Sequence, residues 1–88
     1  MKLHGEFILR QVMDDVLAIP VGQTALNMNG MILLNDVSKV IWNCLKEETS
    51  VEAIVNAVTD AFEVSAEEAE LDIQEFLNKM RNAGLLEE

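Results

Sequence analysis

The stretch NMNGMILLND, residues 27–36, joins a strand-like first third of the chain to a helical remainder. Asn29-Gly30 is a strong turn signal, and the four residues behind it, Met31 to Leu34, are all apolar. A strand with one solvated face alternates apolar and polar residues, so this segment predicts a strand that is apolar on both faces. The question it raises is what covers the second face.

Two further strand signals precede this segment. Residues 6–13 and 16–20 are rich in apolar and β-branched residues, and Met13-Asp14-Asp15 predicts a tight turn between them. Pro20 lacks a backbone donor and marks an edge or an end. Residues 21–28 show no clear pattern, although Gly22 indicates a bend. With residues 31–35 as the third strand, the sequence predicts three antiparallel strands.

Helical periodicity begins after the third strand. Apolar residues recur with the spacing of one helix face over about 36–46, 50–63 and 66–83. The predicted N-terminal caps are Asn35 or Asp36, Thr49 in a capping box with Glu52, and Ser65 in a capping box with Glu68. Gly84 suits a left-handed exit from the last helix. Three strands followed by three helices predict an α+β, winged-helix-like fold whose helices cover one face of the sheet.

Length and charge limit the classes of function. Eighty-eight residues suffice for one domain, which we predict over residues 1–88. Sixteen acidic against six basic side chains give a net charge of −10, which disfavours nucleic-acid binding because that needs a basic face. No apolar run approaches the roughly 18 residues that span a bilayer, and the single cysteine can form no internal disulfide. The prediction is a soluble cytoplasmic protein without membrane contact.

The titratable residues do not predict a catalytic site. His4 is the lone histidine, in an N-terminus predicted to be poorly anchored, and it has no companion metal ligand nearby. Cys44 falls on the buried stripe of the first helix and is predicted to be a core thiol rather than a nucleophile. The first turns of the third helix carry several carboxylates that leave its apolar stripe clear and therefore indicate a solvated face: Glu67, Glu68, Glu70, Asp72 and Glu75. We therefore predict no enzyme activity, no metal and no cofactor.

Signals for binding are stronger. An apolar strand at a sheet edge is an aggregation hazard unless something occupies it, and one use of such an edge is to add a partner's extended peptide as a further strand. Leu71 projects to the side of the third helix opposite its apolar stripe, and Trp42 flanks the stripe of the first helix. The simpler interpretation of both is a boundary residue that packs partly; the alternative is a place on a binding surface.

Three segments taken in order resemble the PqqD-like family, the small peptide chaperones of coenzyme PQQ synthesis. They are Leu34-Asn35 leading into a helix, TSVEAIVNAVTDAF at 49–62 and DIQEFLNKMRNAGLLE at 72–87. The resemblance covers nearly the whole chain from about residue 7. In this family the same fold serves as the recognition element for leader peptides of ribosomally made, modified peptides. The resemblance implies a leader peptide added as a strand against the third strand, in a groove beside the third helix.

The resemblance also implies a site and a role. The implied peptide-binding residues are Met31, Ile32, Leu33 and Leu34 on the strand edge, and Leu71, Asp72, Glu75, Phe76 and Lys79 on or near the groove helix. The implied role is a non-catalytic chaperone that presents a precursor peptide to a modifying enzyme, in this family often a radical SAM enzyme.

This sequence departs from the family pattern in two ways. The segment between Pro20 and Met31 is longer than the core pattern, which leaves the pairing of residues 23–28 open. The groove helix is unusually acidic, which suggests a leader with some basic residues.

Two other classes of function remain open. One is a homodimerising structural or adaptor domain whose apolar third strand pairs with its own copy. The other is a winged-helix DNA binder, which the net charge opposes. The sequence also leaves open which face each side chain of the third strand takes, because a register error of one residue would exchange the two sets.

Overall fold

The computed structural model describes residues 1–28 and 30–88. The elements in chain order are β1 Lys2–Leu3, β2 Phe7–Val12, β3 Asp15–Pro20, α1 Gly22–Asn27, β4 Ile32–Leu34, α2 Asp36–Leu45, α3 Val51–Ala61, α4 Ala66–Asn82 and β5 Leu86–Glu87. The predicted α+β class with a three-stranded antiparallel sheet is confirmed. The structure adds the short helix α1, where the sequence showed no clear pattern, and a second sheet of β1 and β5.

The three-stranded sheet has the order β2-β3-β4 and antiparallel pairing throughout. Leu34 pairs with Val16, and Leu33 pairs with Leu17. Leu34 is 2% exposed, so it faces the helices, whereas Leu33 is 61% exposed on the opposite face. This register answers the question of which side chain points where. In the predicted Asn29-Gly30 turn, Asn29 lies outside the described residues, while Gly30 has a φ of +89° that favours glycine.

Serine side chains cap two of the long helices, and an asparagine caps the other. Asn35 Oδ1 accepts from Ser38 N at 2.8 Å, and Ser65 Oγ accepts from Glu68 N at 3.1 Å. The predicted cap Thr49 is wrong, because Ser50 Oγ accepts from Ala53 N at 3.2 Å. The backbone of Thr49 instead holds the chain terminus, as its N–H donates to Met1 O and its carbonyl accepts from the Met1 ammonium group. Gly84 has the predicted left-handed φ, at +75°.

Trp42 belongs to the core, which corrects its prediction as a flanking residue. It is 2% exposed and meets the ring of Phe7 edge-on, with centroids 5.1 Å apart. Helix α2 lies between two partners, since Ile41 and Leu45 join a cluster with α3 and α4 while Trp42 joins Ala18 and others against the sheet. Periodicity alone identifies one buried stripe, and α2 buries a wider one.

The N-terminus is anchored, contrary to the prediction. Strand β1 pairs with β5 through Leu3 and Leu86, and His4 N donates to Leu85 O at 2.8 Å. Leu3 also packs against both core clusters. The pairing joins the two ends of the chain, and no local pattern in the sequence signals a contact of such separation.

Within the described residues, the helices cover one face of the three-stranded sheet and leave the other exposed. Ala18 and Leu34 are buried on that face, while Ile8, Val12 and Leu33 are exposed on the other. No helix in the described residues is long and apolar enough to cross a membrane.

Candidate functional site

A groove of about 500 Å³ lies between the edge strand β4 and helix α4. In the part of the chain that the structure describes, β4 pairs with β3 alone, so its other edge carries backbone groups without a strand partner. An extended segment laid in this groove could therefore hydrogen-bond to β4 along its backbone.

One face of α4 forms a wall of the groove. Asp72, Phe76 and Lys79 follow one another at spacings of four and three residues, which places them along one stripe of the helix, and Ala83 continues the lining just after the helix ends. The neighbouring stripe, Ala69, Ile73, Leu77 and Met80, is buried in the core. The packing of the second stripe therefore fixes the direction in which the first one points.

The floor of the groove comes from residues that also belong to the core. Helix α2 begins directly after β4 and contributes Val37, Ser38 and Ile41, and α4 contributes Met80. Met28 and Met31 line the end from which the chain enters β4. Methionine side chains are flexible and polarizable, so they can adapt to apolar groups of different shapes. The groove thus combines an adaptable apolar interior with a polar wall.

The groove wall carries both signs of charge. Asp72 and Glu75 lie one turn of α4 apart, and Lys79 follows one turn beyond Glu75. All three are exposed. Charge on this helix is segregated, since Glu67 and Glu68 occupy its first turn and Lys79 and Arg81 its last. A bound segment would therefore meet negative charge in the middle of α4 and positive charge toward its end.

The structure brings most of the predicted site residues together. Met31, Ile32, Leu33, Asp72, Glu75, Phe76 and Lys79 all line the groove. Leu34 does not, because its side chain enters the core and only its backbone belongs to the edge strand. Leu71 is 73% exposed and is not part of the lining. Whether these residues bind a peptide stays a prediction.

Sequence reasoning missed half of the lining. The missed residues are Met28, Asn35, Val37, Ser38, Ile41, Met80 and Ala83. The helical periodicity of the sequence places Val37, Ile41 and Met80 on the buried stripes of their helices. That periodicity does not distinguish a residue buried wholly in the core from one that also forms the floor of a groove. For Met28 and Ala83 no local pattern indicated a site.

The cysteine of the chain lies away from the groove. Cys44 is partly buried, packs against the cluster of α2, α3 and α4, and burial raises the pKa of its thiol. This placement agrees with a core thiol, since the thiolate is the reactive form and burial disfavours it. Among the described residues, no group of three or more histidine, cysteine or acidic side chains is placed to hold a metal ion.

Comparison with known proteins places the chain in a family. One solved structure, TbiB1 in complex with the TbiA(beta) leader peptide, is similar over 99% of this chain and 95% of that one, with 26% identity and a TM-score of 0.73. Among curated proteins, none matches the chain. The profile of the family described as coenzyme PQQ synthesis protein D (PqqD) matches residues 22–86. The resemblance seen in the sequence is thereby confirmed, and the chain belongs to the PqqD family.

Proposed function

We propose that this protein is a non-catalytic chaperone that binds the leader of a ribosomally made precursor peptide and presents it to a modifying enzyme. The observation that carries the proposal is the open edge of β4 beside an apolar groove, in a chain of the PqqD family. The likeness to TbiB1, whose structure contains a leader peptide, supports a role in leader recognition.

Binding by strand addition follows from the geometry of the edge. The leader would exchange backbone hydrogen bonds with β4, which provides affinity without depending on its side chains. Because side chains of an extended peptide alternate, every second one would enter the groove between Ile32 and Phe76. Specificity would then come from apolar side chains that fill this interior and from a basic side chain beside Asp72 and Glu75.

A presenting role needs no catalytic group in this chain. Cys44, the one thiol, packs among the helices and does not line the groove, and neither does His4, the one histidine. The chemistry would belong to the modifying enzyme, in this family often a radical SAM enzyme. The acidic surface would favour a basic patch on that partner.

The test is an amide-shift NMR titration with short peptides tiled across each candidate precursor peptide encoded beside this gene. We expect saturable shifts concentrated at residues 31–35 and along α4. Absence of shifts with every peptide of the precursor would contradict the proposal. Because Leu71 is exposed, Leu71→Asp should leave the fold intact; unchanged peptide affinity in that variant would remove Leu71 from the site.

The alternative of a homodimer has one observation in its favour. Leu33 is exposed on the open strand, and Ile8 and Val12 are exposed on the same outer face of the sheet. Sedimentation across a concentration series separates the two functions. The homodimer is supported if sedimentation shows a tight dimer and no peptide shifts the β4 amide resonances. The chaperone is supported if the protein is a monomer that binds peptide.

A further inference from the structure

A second cleft, of about 470 Å³, continues from one end of the groove. Met28 and Ala83 line both, so the two spaces share a wall. The cleft is bounded by α1, by the segment His4–Glu6 and by the turn Ala83–Leu85. Its lining combines apolar residues with polar ones, among them His4, Glu6, Gln23 and Asn27.

Hydrogen bonds join the segments that bound the cleft and fix their relative positions. Glu6 N donates to Thr24 Oγ1 at 2.8 Å and ties the N-terminal segment to α1. Val21 N donates to Glu6 O at 3.0 Å, and His4 N donates to Leu85 O at 2.8 Å. A ligand would therefore meet a preformed site, which lowers the entropic cost of binding.

The side chains of α1 suit an extended peptide backbone. Gln23 and Asn27 are exposed, line the cleft and lie four residues apart, so their carboxamides project from the same side of α1. A carboxamide donates and accepts hydrogen bonds, as a peptide group does. Two of them in a row can bond to successive peptide groups of a ligand whatever its side chains are.

We infer that this second cleft holds the residues of the leader peptide that follow the segment bound along β4. The inference rests on the proposed function and adds a second subsite to it. Met28 and Met31 precede β4, so the cleft lies at the N-terminal end of that strand. Antiparallel addition, the commoner pairing, brings the C-terminal end of the bound peptide to this point. The chain then continues past Ala83 into the cleft.

The experiment compares peptides of different length. The first probe is the shortest fragment of the neighbouring precursor that shifts the β4 amides; the others are that fragment lengthened by about four residues at its C-terminal or N-terminal end, roughly 13 Å of extended chain. We expect the C-terminal extension to tighten binding about tenfold, the effect of one or two net hydrogen bonds. The N-terminal extension should leave the affinity unchanged.

Variants of α1 identify the residues responsible. Gln23→Ala with Asn27→Ala should remove the gain from the C-terminal extension and leave the affinity of the short fragment unchanged. Alanine favours the helix, so α1 should persist. Leu26→Ala is the matched control, because Leu26 lies on the same helix, is exposed and does not line the cleft.

The outcomes separate the two proposals. If the short fragment binds and the C-terminal extension adds nothing, the second subsite is wrong and the proposed function stands. A gain from the N-terminal extension alone, or a gain that survives the double substitution, also overturns the subsite. If no fragment shifts the β4 amides, the proposed function fails and the subsite fails with it.

Discussion

Leu33 and Leu34 are adjacent apolar residues that the fold uses in opposite ways. Leu34 faces the helices and contributes to the core, together with Ala18, Trp42, Met80 and others. Leu33 faces the other side of the sheet and also lines the groove. Successive side chains of a strand point to opposite faces, so pairing with β3 separates two residues of identical chemistry.

Substitution by alanine should distinguish these two leucines. Leu34→Ala leaves a cavity in the core and should lower the free energy of unfolding by about 2–5 kcal/mol. Leu33→Ala is the matched control and should change it by about 0.5 kcal/mol or less, because an exposed side chain loses little burial. Urea denaturation followed by circular dichroism measures both. Equal losses in the two variants would contradict the observed register.

Among the elements, α4 carries two stripes with different surroundings. Its buried stripe holds the helix against α2 and α3, and its groove stripe presents Asp72, Phe76 and Lys79. The helix dipole stabilises charges at both ends of α4. Its positive N-terminal end favours the carboxylates of Glu67 and Glu68, and its negative C-terminal end favours the cations of Lys79 and Arg81. Asp72 and Glu75 lie between the two ends, where the dipole gives them little stabilisation.

Removal of charge from the groove should weaken the binding of a leader with a basic residue. We expect Asp72→Asn with Glu75→Gln to reduce affinity by about three- to tenfold, the size of one or two exposed ion pairs, and to flatten its dependence on salt. Isothermal titration calorimetry at two salt concentrations measures both effects. Glu67→Gln with Glu70→Gln removes the same charge from α4 outside the groove lining. An equal loss in this control would show a general field effect and contradict a local contact.

At the scale of the whole molecule, the two ends of the chain are joined. Strand β1 pairs with β5, and the Met1 ammonium group donates to the carbonyl of Thr49 and to the Glu48 carboxylate. Leu3 bridges the two core clusters. The same arrangement places His4–Glu6 beside the turn after α4 and so forms the second cleft. Closure of the chain and formation of the second cleft are therefore coupled.

Disruption of β1 should destabilise the whole protein, although β1 is near a terminus. Leu3→Ser removes apolar burial and should lower the free energy of unfolding by about 2 kcal/mol. Lys2→Ser, at the exposed neighbouring position, should change it by about 0.5 kcal/mol or less, because its ion pair with Glu87 is exposed. Thermal unfolding measures both. No change in Leu3→Ser would show that β1 lies outside the cooperative unit.

Local pattern alone was enough to predict the three-stranded sheet and the three long helices, and the family resemblance added half of the groove lining. Strand alternation, helix periodicity and turn residues depend on residues that are close together in the chain, so they can be recognised in the sequence before the fold is known. Phe76 and Lys79 could be assigned to the groove helix because the family resemblance supplied the partner strand. The short helix α1 escaped prediction because its six residues include Gly22 and Thr24 and none is buried, which leaves no apolar period to detect.

The residues alone predict an apolar strand, observed as Ile32–Leu34, ahead of a helical region, and they carry the resemblance to the PqqD family. The tertiary structure was needed to show that Leu34 enters the core and Leu33 does not, that Trp42 is buried, and that β1 closes the molecule against β5. Each of these depends on the register or packing of residues distant in the chain. Such contacts depend on how whole strands and helices fit together. The apolar period of a helix and its capping residues depend only on a few residues that are neighbours in the chain.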